Sequence, residues 1–284
     1  MSAALEETHA PVDLEERARA RRRRLHRIGR WALPALVALI VLVAWQGVVA
    51  LYEIPHYILP GPDRVLTKLS QEWASLLQSW WITVQVAGLS LALAIVVGGG
   101  LGVLFSLSRA VEMSVYPYAV VLQVTPVISI APLIIIYVDT AFTALLICAW
   151  IVAFFPILSS TTLGLASADR NLHDLMSIYR VSRWQRLRYL QIPAALPYFL
   201  GGLRIAGGLS LIGAVVAEYA IGAAGRGSGL AYRILESGYR LEVDRMFAAL
   251  LLIMLTGIAI YLVLSLLSHL LLRKWHESAV KRES

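Results

Sequence analysis

The sequence is poor in the groups on which soluble enzymes and metal proteins depend. It holds one cysteine, Cys148, inside an apolar block. An intrachain disulfide is therefore excluded, a cysteine cluster for zinc or redox chemistry is missing, and Cys148 reads as a small packing residue. The six histidines, His9, His26, His56, His173, His269 and His276, fall in no His-Glu-x-x-His or comparable spacing. No metal site is expected from them. A Gly-x-x-x-x-Gly-Lys-Ser/Thr run is also missing, so the chain carries no phosphate cradle of that kind. The glycine-rich stretch Gly222–Gly229 has no Lys-Ser/Thr pair and reads as a flexible helix end. Charge is scarce: 15% of the 284 residues, where a soluble domain carries about a quarter.

What is there instead is apolar surface. The chain is 58% hydrophobic, with a mean hydropathy of +0.70, and the apolar residues come in blocks. About 20 such residues cross the hydrocarbon core of a bilayer. Six blocks reach that length: Trp31–Leu51, Trp80–Leu107, Val115–Tyr137, Ala141–Leu163, Ala195–Ile221 and Met246–Leu272. The prediction is an all-α membrane protein with six transmembrane helices, 31–272 forming the transmembrane domain. Five blocks hold no Asp, Glu, Lys or Arg; the fifth holds Arg204 and Glu218.

Orientation follows from the basic residues. With both termini cytoplasmic, eighteen of the 25 Lys and Arg residues lie on the inner side and six on the outer, Arg204 being within a span. The net charge of +7 thus reads as a topology signal, and no nucleic-acid partner is implied. Residues 1–30, with eight arginines, read as a disordered basic cytoplasmic tail able to touch anionic headgroups; 273–284 read as a second cytoplasmic tail. No small-residue cleavage site follows the first block, which argues for an uncleaved helix. On the outer side, Val65, Leu66, Leu69, Trp73 and Leu76 are spaced to share one face of a short interfacial helix.

The longest cytoplasmic connection is "HDLMSIYRVSRWQRLRYLQIPAALP", His173 to Pro197. Leu172, Leu175, Met176 and Tyr179 recur at helical spacing, and Trp184, Leu187 and Tyr189–Leu190 form a second, weaker stripe. Two short helices with a turn near Arg180–Ser182 are expected, ended by Pro193. A basic loop also serves the positive-inside rule, but the two apolar stripes exceed what topology requires.

The stretch "DLMSIYRVSRWQRLRYLQIPAALPYFLGGLRIA" resembles the EAA loop of binding-protein-dependent ABC importer permeases. Ser182-Arg183-Trp184 and Ile192-Pro193-Ala194-Ala195-Leu196-Pro197 are similar to the branch that carries sulfonates, taurine and nitrate. The likeness runs from about Leu76 to Leu272, through "TPVISIAPL" (Thr125–Leu133) and "GLRIAGGLSLIGAVVAE" (Gly202–Glu218). There are departures. Asp174 stands where the family has Glu, Leu175 and Met176 replace two small residues, and Arg180 replaces a glycine that permits a positive-φ turn.

The resemblance implies a permease subunit of the bacterial inner membrane, in a homodimer or with a related chain. Alternating access would be driven by cytoplasmic ABC ATPase subunits and supplied by an extracytoplasmic solute-binding protein. It makes Asp174, Leu175, Met176, Tyr179, Arg180, Ser182, Arg183, Trp184, Pro193 and Pro197 the ATPase-coupling residues. ATP would bind the partner subunit, leaving this chain with no cofactor and no enzymatic site. The branch implies a sulfonate-, taurine- or nitrate-like solute, or a pyrimidine-type vitamin precursor.

Polar groups at membrane depth are the remaining candidates. Arg204 and Glu218 are about 21 Å apart along one helix, too far to pair there. Arg204 reads as a helix-end anchor. Glu218 reads as a pathway residue, a contact to another helix, or an interface group. Gln123 and Thr125 are further pathway candidates, next to Pro126, which with Pro132 frees backbone carbonyls and softens the span. The pairs and triplets Gly98–Gly100, Gly201–Gly202 and Gly207–Gly208 point to close helix packing. Two other classes fit the sequence less well: an ion-coupled secondary transporter, which needs more buried carboxylates and inverted repeats, and a membrane-embedded enzyme, for which no catalytic constellation is visible.

Overall fold

The computed structural model describes residues 32–222 and 228–273. The basic stretch 1–30, most of the glycine-rich run and the tail beyond 273 lie outside the described residues. Among the described residues every regular element is a helix. Contacts divide the chain into two units, 1–65 and 66–284.

The first unit contains α1, Ala32–Leu51, whose 20 residues match the hydrocarbon thickness and are not buried by the other described residues. Helix α2, Pro62–Gln71, opens on a proline and carries Asp63 in its first turn. Both suit a helix start, where the missing N–H costs nothing and an anion meets the positive end of the dipole. The expected single apolar face does not hold together: Val65 and Leu76 are buried, while Leu66 and Trp73 are exposed.

The second unit is built on α3 (Trp73–Leu107), α6 (Ala141–Ala166), α9 (Ile192–Ile221) and α11 (Val243–Leu272). Helix α6 packs most extensively on α9 and α3. Small residues permit this. A Cβ on Gly164 would lie 2.9 Å from the Ala195 backbone, so the two helices cross there nearly in contact. Gly98, Gly202 and Gly207 also face neighbouring helices, whereas Gly99, Gly100, Gly201 and Gly208 face none of the described residues. Small alanines such as Ala94, Ala153 and Ala206 interleave with Ile157, Leu200 and Leu203 in the core. Arg204 Nε donates to Ser268 Oγ at 3.2 Å, tying α9 to α11.

Two expectations need correction. The third apolar block is not one straight span. It consists of α4 (Arg109–Val124) and α5 (Val127–Tyr137), bent by 105°. Pro126 has no N–H, and the residue before a proline is pushed out of the helical region. Thr125 accordingly takes φ −71°, ψ 124°. Among the described residues five helices are long and apolar enough to span, or six if the bent pair counts as one broken span.

Pro193 does not end the second loop helix either. The chain stays helical from Arg183 to Ile221: α8 (Arg183–Arg186), a π-helical turn (Leu187–Gln191), then α9. In that turn the Ile192 N–H reaches back five residues to the Leu187 carbonyl. The wider turn makes room just where the proline ring would crowd an α-helical carbonyl.

Candidate functional site

The connection between α6 and α9 begins with α7, Arg170–Ile178. Asp169 caps its start, accepting from the Asn171 N–H at 2.8 Å. At its end the Arg180 N–H bonds the Ser177 carbonyl and the Val181 N–H bonds Met176, both at 3.0 Å. This is a Schellman motif with arginine in the left-handed position where glycine is usual. Arg180 has φ 52°, so the chain adopts the glycine turn and bears its strain of about 1 kcal/mol.

A capping box then starts α8. Ser182 accepts from the Gln185 N–H, and the Gln185 side chain accepts from the Ser182 N–H. Arg186 donates to Ser177 Oγ at 2.9 Å, clamping α7 to α8. Arg183 donates to the Leu107 carbonyl at the end of α3 at 3.3 Å, a favourable place for a cation.

This architecture fixes a surface with no partner among the described residues. No residue of α7 is buried. Leu172, Leu175, Tyr179 and Trp184 are exposed, as is Asp174; Met176 is half-buried. Ile178 is 78% exposed and extends the stripe one turn beyond Leu175. The 3.6-residue count passes over it, although an isoleucine in a polar loop was itself a signal. Pro193 and Pro197 lie apart from this surface, within α9.

The pathway candidates separate. Gln123 and Thr125 line a cleft of about 500 Å³ at the α4–α5 break, walled also by α6 and α9. Glu218 is not there. It is 2% exposed and faces away from the cleft. Its carboxylate accepts from Thr83 Oγ1 on α3 and from the Ala231 N–H in the first turn of α10 (Leu230–Tyr239), each at 2.8 Å. Thr83 accepts in turn from the Leu230 N–H at 2.9 Å. Glu218 therefore takes the place of an N-cap for α10, satisfying orphan N–H groups. A Cβ on Gly229 would fall on this carboxylate, so only glycine fits. Neither Thr83 nor Gly229 stands out in sequence; both act through distant partners.

Ion pairs complete this end. Arg245, 8% exposed, sits between Glu72 (2.8 Å) and Glu242 (3.2 Å). Arg233 joins Ser79 and Glu236, and Arg240 pairs with Glu236. Burial opposes the Glu236 charge, but the Arg233 hydrogen bond and the charges of Arg233, Arg240 and Arg245 outweigh it and hold the carboxyl below its ordinary value.

Residues 90–277 match the family described as binding-protein-dependent transport system inner membrane component. The chain belongs to this family. Among its relatives is the riboflavin transport system permease protein of Chloroflexus aurantiacus, 32% identical over 269 residues, covering 90% of this chain and 96% of the relative. The formylaminopyrimidine transport permease of Halalkalibacterium halodurans is 30% identical over 240 residues, covering 84% and 94%. The taurine transport system permease of Escherichia coli K12 is 28% identical over 257 residues, covering 86% and 89%. The fold is similar to that of the inward-facing methionine ABC transporter MetNI, with a TM-score of 0.59 at 19% identity, covering 68% and 94%. The chain is thus an ABC importer permease subunit of the inner membrane, as the resemblance implied.

Proposed function

We propose that this permease takes its solute from the α10 side and releases it on the α7 side by alternating access, driven by a separate ATPase that docks on α7 and α8. One observation carries the reading: α7 is a rigidly capped helix that leaves Leu172, Leu175 and Ile178 uncovered. An apolar stripe held in solvent on a fixed helix suits a groove on another protein. The arginines beside it, Arg180, Arg183 and Arg186, orient it against acidic walls. The α7 side is cytoplasmic with both termini, in keeping with the Lys/Arg bias. ATP binds the ATPase, and this chain is not itself an enzyme and holds no cofactor.

A soluble binding protein presents the solute to the α10 face. A second copy completes the pathway; Tyr198, Ile205 and Ile212 on α9 stand exposed in one row, separated by the uncovered Gly201 and Gly208, and small residues permit close approach of helices. The solute is a small molecule of the kinds for which the relatives are named, an anion such as nitrate, a zwitterionic sulfonate such as taurine, or a nitrogen heterocycle. The test is uptake in cells in which the cognate ATPase is inactivated. Uptake is expected to stop; uptake sustained by a proton or sodium gradient alone contradicts the reading.

A further inference from the structure

The cleft at the α4–α5 break is free of charge. Its apolar walls include Ile128, Ile151, Phe155 and Leu209, and its side-chain polar groups are Gln123 and Thr125. Both charged side chains of α9 turn elsewhere, Arg204 onto Ser268 and Glu218 onto Thr83 and α10. The Thr125 hydroxyl donates to the Val121 carbonyl at 2.7 Å, which leaves its lone pairs as acceptors. The Gln123 amide makes no hydrogen bond within the described residues, so it offers a donor and an acceptor side by side.

The broken helix adds backbone groups of both kinds. Pro126 returns no N–H to the Leu122 carbonyl, and the Val127 and Ile128 N–H groups at the start of α5 precede its first backbone bond, Ser129 N–H to the Pro126 carbonyl. The end of α4 and the start of α5 carry opposite half-charges. For an ion these nearly cancel, and an anion entering would lose hydration with no counter-charge among the described lining residues to replace it. For a neutral ligand they remain a matched set of acceptors and donors. The volume lies in the range of small-molecule sites, and Phe155 offers an aromatic surface for stacking.

We propose that this cleft is a membrane subsite for the solute, and that the solute is an uncharged, flat nitrogen heterocycle read by Gln123. The proposal rests on the importer reading and narrows it, setting aside anionic solutes. The test uses the complete importer in proteoliposomes, with its own ATPase and binding protein. ATP-driven uptake of labelled formylaminopyrimidine and riboflavin is compared with that of ethanesulfonate and nitrate. One of the heterocycles should be carried, and neither anion. Gln123→Leu should slow saturated uptake roughly five- to tenfold, the effect of one lost hydrogen-bonding pair, and Gln123→Asn should recover part of it. A thiol reagent should modify Gln123→Cys, and the carried heterocycle should protect it. Transport of an anion, transport of neither heterocycle, or uptake indifferent to Gln123→Leu overturns the proposal. So does protection of Gln123→Cys without solute, which would show the cleft filled by protein. Uptake that proceeds without ATP overturns the importer reading instead.

Discussion

The two ends of α9 are built on opposite plans. At the α10 end, buried charges find partners inside the chain: Glu218 with Thr83 and the α10 N-terminus, Arg245 with Glu72 and Glu242, Arg233 with Ser79 and Glu236. At the α7 end, polar groups are spent on caps and clamps, and the apolar residues Leu172, Leu175, Ile178 and Trp184 are left in solvent. The first end pairs its charges internally, and leaves only Tyr239 and Leu241 of its large apolar side chains well exposed among the described residues of 228–245. The other is a capped surface that no described residue covers. The difference assigns roles: substitutions at the α10 end should act on stability, and those at the α7 end on coupling.

That contrast can be broken from either side. The largest effect is expected from Leu175→Asp, which places a charge in the stripe. Uptake by the complete importer should fall at least tenfold, while thermal stability of the purified permease stays within about 0.5 kcal/mol, as for other exposed positions. Glu218→Ala should do the reverse, removing two hydrogen bonds to a buried carboxylate and costing about 3 kcal/mol. Thermal unfolding and faster amide exchange in α10 are the readouts.

Smaller effects follow. Because Glu236 is held below its ordinary value, the stability it supplies is present above the unfolded-state value and lost as pH falls through the lower, folded one. Protection of α10 from exchange should therefore weaken in acid, and Glu236→Gln should flatten that dependence. Arg180→Gly is the gentlest test. It relieves the left-handed φ and should stabilise the chain by at most about 1 kcal/mol, read as a small rise in melting temperature with uptake kept.

The spans were legible because apolar length is a direct physical requirement of the bilayer, and the α7 stripe because helical spacing is local. The turn at Arg180–Ser182 was legible too, since a capping box is written in adjacent residues. What was hidden depended on pairing across the fold. Nothing near Glu218 in sequence announces Thr83, 135 residues away, or the N–H of Ala231. The reach of Arg183 to the Leu107 carbonyl has the same character. Pro126 marked a weak point, but its consequence, a 105° break, depends on the packing of α5. Pro193 misled in the other direction, because a π-helical turn absorbs a proline that reads locally as a stop.

The central claim is that α7 is the surface on which the ATPase acts. A photoreactive phenylalanine placed at position 175 of the assembled importer tests it most directly, with the same probe at position 239, on exposed Tyr239 of α10, as the counterpart. An adduct with the ATPase subunit is expected from position 175 and none from 239. An ATPase adduct from 239 with none from 175 would contradict it.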